Sequence, residues 1–216
     1  MNDIPELPLR HESLAPRVPT DAPALLVLLH GYGTNEEDLL QLAPYLPDTL
    51  HIVSLRAPYM LMPGANAWFE IDVAPGNIRG DISQAGHALQ VLNESIDAAI
   101  KAYGTNPAAT FVMGFSQGGA MAGLTALTRN DLKGVAILSG VNPFQMGGVA
   151  TTDAHCPMLV VHGTLDEVVP VAHGQECQQQ FQAAGYPVQY AELPIGHTID
   201  LRVIGVLVRF LHGQMS

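Results

Sequence analysis

Short, unbroken apolar runs recur along the chain, and between them apolar positions fall three and four residues apart. Ala24–Leu29 (ALLVLL), Ile52–Leu55, Thr110–Met113, Val135–Leu138 and Met158–Val161 are continuous and mostly rich in Val, Ile and Leu. Strands covered on both faces carry such runs, without polar alternation. Val188–Leu193 alternates more and suits a strand near a sheet edge. Helical spacing fills the intervals. Glu36–Leu46 has acidic residues in its first turn, after Thr34 and Asn35 as candidate caps. Ser83–Ala102 sets Leu89, Leu92, Ile96 and Ile100 on one face and ends near Gly104. Gly118–Thr128, Ala172–Ala184 (stopped by Gly185) and Thr198–Leu211 complete the set. The alternation predicts an α/β fold, a mostly parallel central sheet with helices on both faces.

Two stretches resist the pattern. Residues 1–23 hold five of the prolines and leave room only for an edge strand around Leu9–Ser13. Pro58–Gly80, rich in Gly, Pro and Met, reads as a long loop, and long loops in compact domains are usually lids or binding loops. With no repeat or linker, the 216 residues read as one domain, 1–216, with no large cap domain.

Charge narrows the function classes. The formal net charge is −11 and no Lys/Arg run occurs, so phosphate backbones and anionic headgroups are repelled and nucleic-acid binding is not expected. No apolar run reaches the ~20 residues of a membrane span, and MNDIPELPLR lacks the basic start and apolar core of a signal peptide. Cys156 and Cys177 are too few for a disulfide framework and read as reduced thiols. Together these features point to a cytoplasmic protein without stable membrane insertion. Homodimerisation is left open.

The sharpest local signal is Gly114-Phe115-Ser116-Gln117-Gly118, between a strand-like and a helix-like run. A serine on such a cramped turn needs small neighbours two residues to either side. The turn would raise Oγ above the sheet and leave the next N–H, at a helix N-terminus, free to stabilise an oxyanion. The hydroxyl needs a base, and the base an orienting carboxylate. Of the acidic residues downstream, Asp153 among them, only Asp166 and Glu167 lie just past the C-terminal end of a firmly read strand, where sites of open parallel sheets form. Asp166 is preferred, with Glu167 as its competitor. Of the later histidines, His173 falls in a helical stretch and His212 near a helix end, both read as surface residues. His197 lies between the last strand and the last helix, and is taken as the base. A second backbone donor is expected from His30-Gly31-Tyr32-Gly33-Thr34, with Tyr32 first and Gly31 or Gly33 as competitors; the first donor is Gln117.

Six segments carry a resemblance. LLHGYG (28–33), RAP (56–58), WFEID (68–72), GFSQGG (114–119), HGTLDEVVP (162–170) and GHTI (196–199) resemble, in order, the phospholipase/carboxylesterase family of α/β hydrolases, which includes acyl-protein thioesterases. The resemblance implies the α/β-hydrolase fold, a Ser116–Asp166–His197 triad and an oxyanion hole from the backbone of Tyr32 and Gln117. It implies a small acyl ester or thioester as substrate, and no cofactor. Glu70 stands where family thioesterases commonly carry Asp. Asn77–Ser83 resembles the small bacterial esterases more than eukaryotic depalmitoylases. With no obvious cap domain or membrane-binding helix, short- to medium-chain carboxylic esters are the expected substrates. The alternatives are a long-chain thioesterase or lysophospholipase and, in another class, a non-catalytic relative that binds a small ligand.

Leu61, Met62, Trp68 and Phe69 in the long loop, with Val168, Val169 and Ile195 beside the triad, are candidates for an apolar acyl pocket; the loop residues could equally seal the loop against the core. His30 and His162 each precede a glycine at a strand end. No carboxylate or cysteine stands at a ligand spacing, so they read as structural and no metal is expected. Ser139-Gly140 also follows a strand but lacks the preceding glycine of an elbow; it reads as structural, at most lining the site.

Overall fold

A computed structural model describes residues 5–74, 77–146 and 155–215, without the side chains of 72–79 and 145–146. The chain runs through β1 (His11–Leu14), β2 (Ala24–Leu29) and β3 (Leu50–Leu55), then through the short strands β4 (Tyr59–Met62), β5 (Ala65–Ala67), β6 (Ile71–Ala74) and β7 (Asn77–Gly80). There follow α1 (Ile82–Tyr103), β8 (Thr110–Phe115), α2 (Gln117–Thr128), β9 (Leu132–Leu138), β10 (Met158–Gly163), α3 (Ala172–Ala183), β11 (Val188–Leu193) and α4 (Leu201–Met215). Seven strands form the central sheet in the order β1-β3-β2-β8-β9-β10-β11. β1 pairs antiparallel to β3, and every other pairing in this sheet is parallel.

The continuous apolar runs are explained by burial on both sides. In β2, Leu25, Val27 and Leu29 enter one core with Leu92 and Ile96 of α1, Met121 of α2 and Phe181 of α3. Leu26 and Leu28 enter the other with Val203, Leu207 and Phe210 of α4. Alternate residues of a strand point to opposite faces, so a strand between two helix layers has no polar position to offer. Both helix stops occur as glycines with positive φ, Gly104 at +61° and Gly185 at +92°.

Three expectations need correction. Glu36–Leu46 is not an α-helix: a 3-10 helix covers only Leu39–Tyr45, with Pro44 inside it, where a prolyl ring lacks the N–H that an α-helix would use. The last helix starts at Leu201 rather than Thr198, because Asp200 Oδ1 accepts the N–H groups of Arg202 and Val203. The long loop contains two antiparallel strand pairs, β4–β5 and β6–β7. Among the described residues, no helix is long and apolar enough to cross a membrane.

Candidate active site

Four of the sheet's C-terminal strand ends converge on one place. Ser116 follows β8 with φ +55° and ψ −116°, a conformation that costs a non-glycine residue ~1–3 kcal/mol. The surroundings enforce it. A Cβ on Gly114 would lie 1.9 Å from the Gly118 carbonyl oxygen, and one on Gly118 would lie 2.0 Å from that of Leu29. Only glycine lets the start of α2 pass this close to β2 and β8. The turn is held from the other side by Ser116 N–H, which donates to Leu138 O at 2.9 Å.

His197, between β11 and α4, places Nε2 3.0 Å from Ser116 Oγ. Its Nδ1 lies 2.7 Å from Asp166 Oδ2. The Asp166 carboxyl is fully buried, and its other oxygen accepts the N–H groups of Val168 (3.0 Å) and Val169 (2.8 Å). A carboxylate held by backbone donors on one oxygen and an imidazole on the other has one orientation. Glu167 is exposed, as is His212, whereas His173 is half-buried rather than at the surface. Asp153 lies outside the described residues.

Gln117 is the first residue of α2, so its N–H has no intrahelical acceptor. In the loop after β2, Gly33 N–H donates to Asn66 O at 2.9 Å, which removes it as a free donor. Tyr32 lines the cavity beside Ser116, and among the described residues its N–H has no acceptor.

Several residues brace the site. His30 and His162 do so as the structural histidines expected, whereas the bracing by the Gln117 side chain, Trp68 and Glu36 was not anticipated. Gln117 is buried, and its side chain accepts Trp68 N–H (2.8 Å) and donates to Phe69 O (2.7 Å). Trp68 is fully buried and its Nε1–H donates to His30 O at 2.9 Å. His30 Nε2 accepts Ala57 N–H at 3.0 Å while Nδ1 faces Gly31 O at 2.7 Å. A ring whose Nε2 accepts is neutral, and burial holds this imidazole below its ordinary range. Glu36, fully buried, takes both Nη2 (2.6 Å) and Nε of Arg56, with Arg10 Nε at 3.1 Å. Burial raises the Glu36 carboxyl, but the hydrogen bonds and charge of Arg56, helped by Arg10, outweigh it and the net shift is downward. His162 Nε2 reaches Val169 O at 2.8 Å, bracing the Asp166 turn. Among the described residues, no group of three potential metal ligands occurs.

The cavity over Ser116 has a volume of about 420 Å³. Phe69, Val168 and Val169 line it as anticipated, together with Ile71, Phe115 and Val141, which sequence reasoning missed. Four other pocket candidates are not brought there. Trp68 is a buried brace, and Ile195 is buried in the core on the α4 side. Leu61 and Met62 lie on β4, where Met62 points outward at 63% exposure. Ser139 is buried with φ +46° and donates to Val161 O, so its role is structural.

Comparison with known proteins identifies the family and the fold. The family model "Phospholipase/Carboxylesterase" matches residues 15–214. A rice protein named probable inactive carboxylesterase is 30% identical over 196 residues, 81% of this chain and 78% of that protein. Carboxylesterase SOBER1 of Arabidopsis thaliana is 31% identical over 62% of this chain and 61% of its own. Among solved structures, esterase PE8 superposes with a TM-score of 0.81 at 29% identity, covering 95% of this chain and 98% of that one.

Proposed function

Because the chain belongs to the phospholipase/carboxylesterase family of α/β hydrolases, which act on ester bonds, we propose that it cleaves short- to medium-chain carboxylic esters through an acyl-enzyme on Ser116. The observation that carries this is the unbroken relay from Ser116 Oγ through His197 to Asp166, at 3.0 and 2.7 Å. His197 Nε2 takes the Oγ proton as the serine attacks the carbonyl carbon, then gives it to the leaving oxygen. Water enters, the same nitrogen deprotonates it, and the acid is released. Asp166 stays ionised, holds the tautomer and stabilises the imidazolium. The N–H groups of Gln117 and Tyr32 face the developing oxyanion, and the engagement of Gly33 N–H supports Tyr32 over that competitor. The apolar lining supplied by Phe69, Val168 and Val169 supports an acyl group there. Two free thiols support a reducing, cytoplasmic location.

The test is Ser116→Ala. It should lose p-nitrophenyl butyrate hydrolysis by roughly 10⁴-fold or more while keeping the wild-type denaturation midpoint, and a fluorophosphonate should label Ser116 in the wild type alone. A variant with near-wild-type turnover would overturn the assignment. A kcat/KM series over acyl length separates the long-chain alternative: each fully buried CH₂ adds about 0.8 kcal/mol, so the short- to medium-chain reading requires a plateau after a few carbons. A rise through long chains would replace it.

A further inference from the structure

We propose that the leaving alcohol occupies a second, smaller cavity beside His197, and that Asp38 there selects esters whose alcohol portion carries a positive charge. The proposal rests on the reading of Ser116 and His197 given above and extends it to the substrate's other half.

Two cavities meet at Asp38, Phe115 and His197. The larger, of about 420 Å³, contains Ser116, Gln117 and Tyr32, and so holds the carbonyl and the apolar acyl walls. The smaller, of about 250 Å³, is reached past His197 and is lined by Gln41, Thr198 and Ile199 but not by Ser116 or Gln117. Proton delivery decides which half of the ester goes where. His197 Nε2 must hand its proton to the leaving oxygen, so the alcohol leaves on the imidazole side, toward the smaller cavity.

The junction between the two carries one unspent charge. Asp38 is half-buried, and among the described residues its carboxylate has no hydrogen bond or ion pair. It precedes the 3-10 helix at Leu39–Tyr45, yet its side chain makes no capping bond, so helix capping does not account for it. The nearby arginines, Arg10 and Arg56, are engaged by Glu36. Among the described residues, no Lys or Arg lines either cavity. A carboxylate that faces a cavity and has no partner among the described residues is free to pair with a cation that enters it. Such a site favours an ammonium or amino alcohol over a neutral one and disfavours an anionic one, and the chain's net charge of −11 acts in the same direction.

The experiment compares kcat/KM for three butyrate esters: of choline, of its uncharged isostere 3,3-dimethylbutanol, and of 4-hydroxybutanoate. In wild type the choline ester should be preferred over the isostere by about fivefold, the range of a partly solvated ion pair, and the anionic ester should be the poorest. Raising KCl should shrink that preference, and Asp38→Asn should bring the ratio to within about twofold of one. The wild-type ratio and its salt dependence decide the matter even if the variant does not fold. A charge-blind ratio, a ratio untouched by Asp38→Asn or a preferred anionic ester would overturn the proposal while Ser116 still takes the fluorophosphonate. Absence of labelling together with absence of any hydrolysis would overturn the underlying reading and this one with it.

Discussion

Gln117 follows Ser116 directly, yet its side chain is bonded into the 66–69 segment. Replacing it with alanine keeps the backbone N–H at the start of α2 and removes only the amide. Two buried groups then lose their partners, Trp68 N–H and Phe69 C=O. An orphaned buried backbone group costs about 1–3 kcal/mol, so Gln117→Ala should destabilise by about 2–6 kcal/mol. A water that fills the vacated space and re-satisfies one group brings the value to about 1–3 kcal/mol. With a urea m-value of about 3 kcal/mol/M, the midpoint drops by about 0.3–1 M. Gln117→Glu should lose at least as much at neutral pH, because it buries an unpaired carboxylate and turns an acceptor oxygen against Phe69 O. Urea unfolding followed by Trp68 fluorescence measures both. Alanine and wild-type midpoints that coincide would refute the bracing role, and a large loss of turnover without loss of stability would move the side chain into the chemistry.

Acid should weaken the fold before any carboxylate titrates. His11, His30, His51 and His162 are all held below the ordinary imidazole value of 6.5 by burial. The unfolded chain therefore takes up protons below about pH 6.5 that the folded chain refuses. Stability is full above that pH and falls as pH drops toward the lower folded values, so urea midpoints should decline between pH 7 and pH 5; a flat profile would contradict the burial of neutral rings. Cys156 and Cys177 are free, and burial pushes both thiols up to about 12. A disulfide reagent at pH 8 should react slowly with both in the native protein and at once in denaturant, whereas fast native labelling of Cys177 would refute its placement.

Much of the framework was legible because it depends on local rules. A run such as ALLVLL says that both faces of a strand are covered, and glycines at 114 and 118 say that backbone passes close by. The order of Ser116, Asp166 and His197, each just past a strand, followed from the same rules. What escaped was fixed by contacts between distant residues. The Glu36 carboxyl turns inward to Arg56, twenty residues on, so an apparent acidic first turn is a buried ion pair beside a 3-10 helix. Trp68 looked like a pocket wall because it is apolar and lies in the long loop. Its indole N–H in fact answers the carbonyl of His30, a partner 38 residues back that no periodicity reports. Met62 was misplaced for a simpler reason: the strand pair β4–β5 alternates inward and outward positions, and a stretch read as loop has no such alternation to apply.

His197 hangs from the edge of the sheet, since among the described residues β11 has β10 as its sheet neighbour and none beyond it. Ser116 follows β8 near the middle, 81 positions before His197 in the sequence. Edge elements open at lower free energy than the centre, so a brief parting of β11 and α4 would draw His197 away from Ser116 while the middle strands stay paired. If the pair works as proposed, heat inactivation should run ahead of global melting, with the working range set by how firmly one peripheral strand is fastened rather than by the depth of the core.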